Sequence, residues 1–412
     1  MPGKGKYTLT FWIFGGFVLG IITGKVVGEP VIPFVEPLAN IFLRLLRMAI
    51  IPLVITSIIS AVVQVGSAHG LGRIGFRTMA YYLMTSILAI ITGQILVNIF
   101  QPGKGAEIGL EADPESIEAI QQGLGYILLN IIPENPIRAM ADGDVLPVIF
   151  FSILFGFFIT RLKDEQRELL RNVFDAAFEA MLKMTTFIIW SAPIGVFGII
   201  SEIVAETGFS AFRSLGFYFL IVLAGLAIHM FITLPLLLRM LGKISPLRHY
   251  RGMLPALLTA FTTCSTIVTL PLTMKAVTEE SGASKRAAGF VLPIGATMNM
   301  DGTALYECVA TIFIAQVYGF DLSFTAQITV AVTAVLASIG AASIPMSGMV
   351  MMSIILSAVG LPLEGVAIIL AVDRILDMFR TTANVFSDSC GAVIISRFES
   401  LAEKKTTNVK YP

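Results

Sequence analysis

Charge is scarce in this chain, and what there is cancels. Lys and Arg number 28 and Asp and Glu 28, together 14% of 412 residues, for a formal net charge of zero. With no excess of basic charge there is no electrostatic footprint for a polyanion, so no nucleic-acid partner is expected. Cysteine is rarer still. Cys264, Cys308 and Cys390 each lie inside an apolar segment, which argues against a disulfide framework, and no soft-metal ligand spacing accompanies them. The three histidines, His69, His229 and His249, fall outside the acidic motifs described below. The opening MPGKGKYT lacks a signal-peptide cleavage pattern, so the first apolar run reads as an uncleaved helix. What fills the chain instead is hydrocarbon. Hydrophobic residues make up 56% and the mean hydropathy is +0.84, with many runs long enough to cross a bilayer. The class this defines is an all-α polytopic membrane protein.

The first span covers about 8–28, where Gly16, Gly20 and Gly24 repeat as a small-residue packing face. The second, about 38–64, carries Arg44 and Arg47 one turn apart, placed to snorkel or to line an interface. The third, about 76–100, contains YYLMTS, and the acidic loop after it is placed outside. Residues 124–160 are broken by Pro133, Asn135, Pro136 and Pro147 into short helices. RLKDEQRELLR (161–171) enters a fifth helix running to about 204, and a sixth spans about 211–241. Six spans bring Lys4 and Lys6, Arg73 and Arg77, Arg161–Arg171 and Arg239–Arg251 to the cytoplasmic side, as the positive-inside rule requires. The run 252–274 has basic residues at both flanks, so it must enter and return; its middle, FTTCSTIVTLP, suits a non-helical tip. A helix at about 286–316 carrying TMNMDGT follows. The run 325–359, broken at SIGAASIPMSG, reads as a second hairpin from the opposite side, and SRFESLAEKK returns to the cytoplasm. Inverted pairs of this kind point to the substrate and ion site of a secondary transporter.

The last helix holds the densest chemistry. At about 100° per residue, Asp373, Asp377, Arg380, Thr381, Asn384 and Asp388 share one side of DRILDMFRTTANVFSD, behind the apolar lead-in GVAIILAV. Each buried charge costs roughly 2.5 to 3.5 kcal/mol on insertion scales. Three carboxylates against one guanidinium leave two negative charges, so cations or protons must complete the stripe. Two blander readings compete: a solvated face on a cytosolic helix, which the apolar lead-in opposes, and structural ion pairs inside a bundle. NMDGT (299–303) interrupts a second apolar helix with a carboxylate, an amide and a glycine, Gly302, read as unwinding the backbone. Oxygen ligands of this sort suit Na⁺ rather than zinc or copper. Asp301 raises the deficit to three charges, leaving room for several cations.

Together, NMDGTALY, the D-x-x-x-D-x-x-R-T-x-x-N-x-x-x-D stripe, the SIGAASIP tip and YYLMTS make the chain resemble the dicarboxylate/amino acid:cation symporters, which include the excitatory amino acid transporters and archaeal aspartate-transporting relatives. The resemblance implies eight transmembrane helices, two re-entrant hairpins in inverted repeats, a homotrimer in the lipid bilayer of the plasma membrane with both termini cytoplasmic, and an elevator motion. It divides the chain into scaffold helices at 1–75 and 102–208, with a transport domain at 76–101 and 209–400. Within the last stretch, hairpin 1 falls at about 246–280, helix 7 at about 286–316, hairpin 2 at about 325–359 and helix 8 at about 362–399, before a tail at 401–412.

The resemblance also implies roles. Arg380 would pair the side-chain carboxylate of an acidic amino acid, glutamate or aspartate, and Asp377 its α-amino group. Ser265, Thr266, Thr303, Ser343, Gly348, Thr381 and Asn384 would complete the substrate pocket. One sodium site is implied at Gly295, Asn299, Asn384 and Asp388, a second at Thr297, Met300, Ser338, Ile339 and Ala341, and a third at Tyr82, Thr85, Ser86, Asn299 and Asp301. Glu307 and Asp373 are implied in proton and potassium coupling, since desolvation favours the protonated form of a buried glutamate; a structural glutamate is the bland counterpart. The chain departs from the family where an additional arginine is usual, carrying Cys264 and Met378 there, with Arg374 a candidate substitute. A C4-dicarboxylate carrier would not need Asp377, a neutral amino acid carrier would not need Arg380, and a passive anion channel would not concentrate its solute. An intramembrane aspartyl protease needs a like-charge pair sharing a proton, which Arg380 would disrupt.

Overall fold

The computed structural model describes residues 4–66, 72–106, 132–207, 210–338 and 347–410, and among them every regular element is helical. Helices α1 (Lys4–Val27), α2 (Ile32–Gly66) and α3 (Gly72–Phe100) follow in order, then the short α4 (Pro136–Asp142) and α5 (Val145–Ile159). Proline and asparagine start α4 as expected of their chemistry. The Asn135 side chain accepts from the amides of Ile137 at 2.9 Å and Arg138 at 3.2 Å, and Pro136 fills the first turn.

The sequence predicts one helix from 161 to about 204, and the structure corrects this. Helix α6 (Asp164–Ile189) and helix α7 (Ala192–Thr207) are bent by 48° at Trp190 and Ser191. Pro193 has no amide to give to an unbroken ladder, and α1 takes advantage of the bend. A Cβ at Gly16 would run into the Pro193 carbonyl, and one at Gly20 would lie 3.1 Å from the Phe197 carbonyl. The glycine repeat of α1 is thus a face for close packing on α7, as its spacing predicts. Helices α5, α6 and α7 all pack on α2.

Helix α8 (Ser210–Ile228) continues through a π-helical turn at His229–Thr233, α9 (Leu234–Leu237) and a second π turn at Leu238–Gly242. Next, α10 (Pro246–Thr263) and α11 (Thr266–Glu279) pack on each other across a two-residue break, where Cys264 takes the left-handed conformation at φ 50°. Helices α12 (Lys285–Met298) and α13 (Asp301–Val317) are parted at Asn299 and Met300. Helices α14 (Phe324–Ser338) and α15 (Ser347–Ala358) follow, and the break expected between them lies outside the described residues. Helix α16 (Gly365–Lys410) continues beyond the boundary near 399 that the sequence suggested.

Helix α13 is buried along its whole length, packed between α3, α8, α14, α15 and α16. Helix α16 also packs against α10 and α12. Three helical stretches among the described residues, Glu29–Val63, Ile74–Phe100 and Ser214–Gly242, are long and apolar enough to cross a bilayer, and the bent pair α6–α7 passes the same test together.

Candidate functional site

The stripe of α16 is buried. Arg380 is 1% exposed, and Asp373, Thr381, Asn384 and Asp388 are buried with it. Arg380 Nη2 lies 3.1 Å from Asp373 Oδ1 and 3.1 Å from Asp377 Oδ1. Its guanidinium stacks 4.0 Å from the centre of the Tyr306 ring. Among the described residues Nε and Nη1 have no partner, although both are buried. A guanidinium with one nitrogen anchored by two carboxylates and two more donors unanswered is prepared to take a further anion. Gly348 of α15 closes over it; a Cβ there would collide with Nη1 and lie 3.0 Å from Asp373 Oδ1.

One and two turns beyond Arg380, the side chains of α16 meet the interrupted helix. Asn384 Oδ1 accepts from Gly302 N at 2.8 Å, and Nδ2 points to Met300 Sδ at 3.0 Å and Thr303 Oγ1 at 3.2 Å. Asn299 Nδ2 donates to Asp388 Oδ1 at 2.8 Å and lies 3.1 Å from Ser387 Oγ, while its own Oδ1 is buried without a partner among the described residues. Gly295 has no room for a side chain, since a Cβ would meet the Asp388 carboxylate and, at 2.6 Å, Tyr82 Oη. Tyr82 Oη donates to Val291 O at 2.6 Å.

Asp301 anchors a second polar knot. Ser86 Oγ donates to Oδ1 at 2.7 Å, with Thr85 Oγ1 at 3.2 Å from the same oxygen, and Ser387 Oγ donates to Oδ2 at 2.5 Å. His229 Nε2 lies 3.2 Å from Oδ2. This overturns the sequence reading that kept all three histidines away from the acidic motifs. His229 is 0% exposed, 72 residues before Asp301, and no local motif links the two.

The structure therefore brings Tyr82, Thr85, Ser86, Gly295, Asn299, Met300, Asp301, Thr303, Asn384 and Asp388 to neighbouring positions, with Gly348, Asp373, Asp377, Arg380 and Thr381 at the adjoining end of the stripe. Thr266 Oγ1 pins the α10–α11 break to Ala296 O at 2.8 Å, and Ser265 Oγ accepts from Val268 N. Two hydroxyls turn back onto their own helices: Thr297 Oγ1 to Ile294 O at 3.0 Å and Ser338 Oγ to Val335 O at 2.8 Å. Donating in this way leaves the hydroxyl lone pairs, as well as the backbone carbonyls, as what these positions can offer an ion. Ile339, Ala341 and Ser343 lie outside the described residues.

Gly302 is a further correction. It sits in the first turn of α13 rather than unwinding it, because the break falls two to three residues earlier at Asn299 and Met300. Its missing side chain serves close packing, a Cβ there lying 2.9 Å from Arg380 O and 3.1 Å from Asn384 Oδ1. With the helix regular, Asp301 and Glu307 face different partners. Glu307 is fully buried, among the described residues neither carboxylate oxygen has a hydrogen-bond partner, and Arg380 and Asp373 lie near enough to act on it electrostatically.

Buried charges and amides converge here from α13, α16 and the break between α12 and α13, in a frame of apolar helices, a combination that points to a transporter. The comparisons with known proteins agree. A model of the sodium:dicarboxylate symporter family matches residues 9–398. The chain is 34% identical to the proton/glutamate-aspartate symporter of Escherichia coli, over 97% of this chain and 95% of the relative. It is also 34% identical to the proton/sodium-glutamate symport protein of Bacillus subtilis, over 96% and 94%. With the excitatory amino acid transporter 3 of Mus musculus the identity is 36%, over 94% and 84%. The chain belongs to the sodium:dicarboxylate symporter family.

Proposed function

We propose that this protein is a cation-coupled symporter of acidic amino acids, glutamate or aspartate. The observation that carries the reading is Arg380: fully buried, held on one nitrogen by Asp373 and Asp377, with Nε and Nη1 unanswered among the described residues. In this reading those donors take the substrate's distal carboxylate, and Asp377 takes the ammonium. Asn384, Thr303, Thr381, Gly348 and the tip residues Ser265, Thr266 and Ser343 line the rest. A neutral amino acid would leave the guanidinium without its anion, a costly arrangement in a buried site.

Sodium is the coupling ion. Gly295, Asn299, Asn384 and Asp388 form one site. Tyr82, Thr85, Ser86, Asn299 and Asp301 form another, with His229 steadying Asp301. Thr297, Met300, Ser338, Ile339 and Ala341 supply a third, mainly through carbonyls. Support comes from the buried carboxylates, which exceed the cations available to them, and from the orphaned Asn299 Oδ1. Glu307 is the proton carrier, with Asp373 beside it, and potassium replaces the proton on the return. What supports this is the burial of Glu307 and that, among the described residues, neither of its carboxylate oxygens has a hydrogen-bond partner.

The architecture that fits is eight transmembrane helices and two hairpins, α10–α11 and α14–α15, in a homotrimer of the plasma membrane with both termini cytoplasmic. The scaffold is 1–75 and 102–208. The moving body is 76–101 and 209–400, working as an elevator, with the tail at 401–412.

Purified protein in liposomes tests the reading. Vesicles loaded without sodium should concentrate labelled aspartate or glutamate when sodium is added outside. Uptake indifferent to sodium, or equilibration without concentration, would overturn it.

A further inference from the structure

Asp377 has two carboxylate oxygens, and both have guanidinium partners. Arg380 Nη2 is 3.1 Å from Oδ1, and Arg374 Nη1 is 3.6 Å from Oδ2. Arg374 and Asp377 are one turn apart on α16 and both partly buried, with side chains 22% and 19% exposed. Arg374 changes the charge count along the stripe, since it brings to Asp377 a second cation besides Arg380.

An ammonium arriving at Asp377 thus meets a carboxylate that is already answered, and one partner has to yield. Arg380 is shorter-bonded, 1% exposed, and also tied to Asp373. Arg374 makes the longer contact from the more exposed position, so it is the one displaced.

Building on the acidic amino acid reading above, we infer that Arg374 is a specificity-determining residue: a tethered cation that holds Asp377 until the substrate's ammonium displaces it. Two consequences of opposite sign follow. For an amino acid, Arg374 is a competitor, and a partly exposed ion pair of this kind lowers the apparent affinity by up to about fivefold. For a dicarboxylate with no amino group, Arg374 stays in place and supplies the charge that Asp377 needs beside a dianion.

The test measures binding of aspartate and of succinate in saturating sodium to wild type, Arg374→Met and Arg374→Lys. Methionine keeps length and removes charge; lysine keeps a cation within reach. The expected result is aspartate binding two- to about fivefold tighter and succinate binding two- to about fivefold weaker in Arg374→Met, with Arg374→Lys close to wild type in both. Affinities that move in the same direction, or do not move, overturn the inference, as does wild type that fails to bind succinate. Wild type that binds neither ligand would instead overturn the acidic-substrate reading itself.

Discussion

Gly295→Ala tests the cation site with a perturbation of one methyl group. An alanine Cβ would lie 2.6 Å from Asp388 Cγ and 2.6 Å from Tyr82 Oη, where ordinary contact begins at 3.4 Å. Neither neighbour can move cheaply. Tyr82 Oη is bonded to Val291 O at 2.6 Å, and Asp388 Oδ1 to Asn299 Nδ2 at 2.8 Å. A retreat of the carboxylate by about 0.8 Å would stretch the Asn299 bond beyond hydrogen-bonding distance. Losing a hydrogen bond to a charged group costs about 1.5–3 kcal/mol, which corresponds to roughly 10- to 150-fold in affinity. The Arg380 cluster is untouched, so the loss should fall on sodium alone. Half-saturating sodium, read from aspartate binding at fixed substrate, should rise at least about tenfold, while aspartate affinity in saturating sodium stays within about threefold of wild type. A half-saturating sodium within twofold of wild type would refute the reasoning, because Asp388 would then not be a ligand held by Asn299.

Other outcomes follow from the same geometry. Arg380→Ala leaves the substrate's distal carboxylate in a buried site without its partner, a loss of about 3–5 kcal/mol, so aspartate binding should weaken more than 100-fold; retained affinity would remove Arg380 from the site. Glu307→Gln keeps shape and removes the titrating proton. Uptake should lose its dependence on external acidity and internal potassium while sodium-dependent exchange survives, and identical ion dependence in the two proteins would make Glu307 structural. Asn98 and Gln327 bond reciprocally between α3 and α14, at 2.7 and 3.1 Å. Asn98→Leu should cost about 1–2 kcal/mol, seen as a lower unfolding midpoint in detergent, and an unchanged midpoint would show that the pair contributes nothing.

Much of the site was legible because helical periodicity is local. Spacings of three and four put Asp373, Asp377, Arg380, Asn384 and Asp388 on one face whatever surrounds it, and hydrocarbon on the remaining faces announced burial. The interruption at NMDGT was legible in the same way, though its position was not. Glycine flexibility pointed to Gly302, whereas Asn299 and Met300 carry the break, and Gly302 is fixed by how near α16 approaches. Contacts between distant segments left no such trace. His229 reaches Asp301 through the packing of α8 on α13, and a lone histidine in an apolar run looks the same whether or not a carboxylate waits opposite. The bend at Trp190 and Ser191 was hidden because Pro193, near the start of α7, is compatible with a continuing apolar pattern. Arg374 was visible one turn from Asp377, but spacing does not say whether a guanidinium turns toward a carboxylate or toward solvent.

The break at Asn299 and Met300 sets two helix ends of opposite polarity against each other. The amide end of α13 is already compensated, with Asp301 in its first turn and Asn384 Oδ1 on Gly302 N. The carbonyl end of α12 has no basic residue in its last turn. It therefore presents the negative half of a macrodipole, equivalent to about half an elementary charge, beside Asp388 and Asn299. Part of the attraction for cations thus resides in the main chain. Neutralising Asp388 should therefore reduce that attraction without abolishing it, because the share supplied by the main chain stays in place.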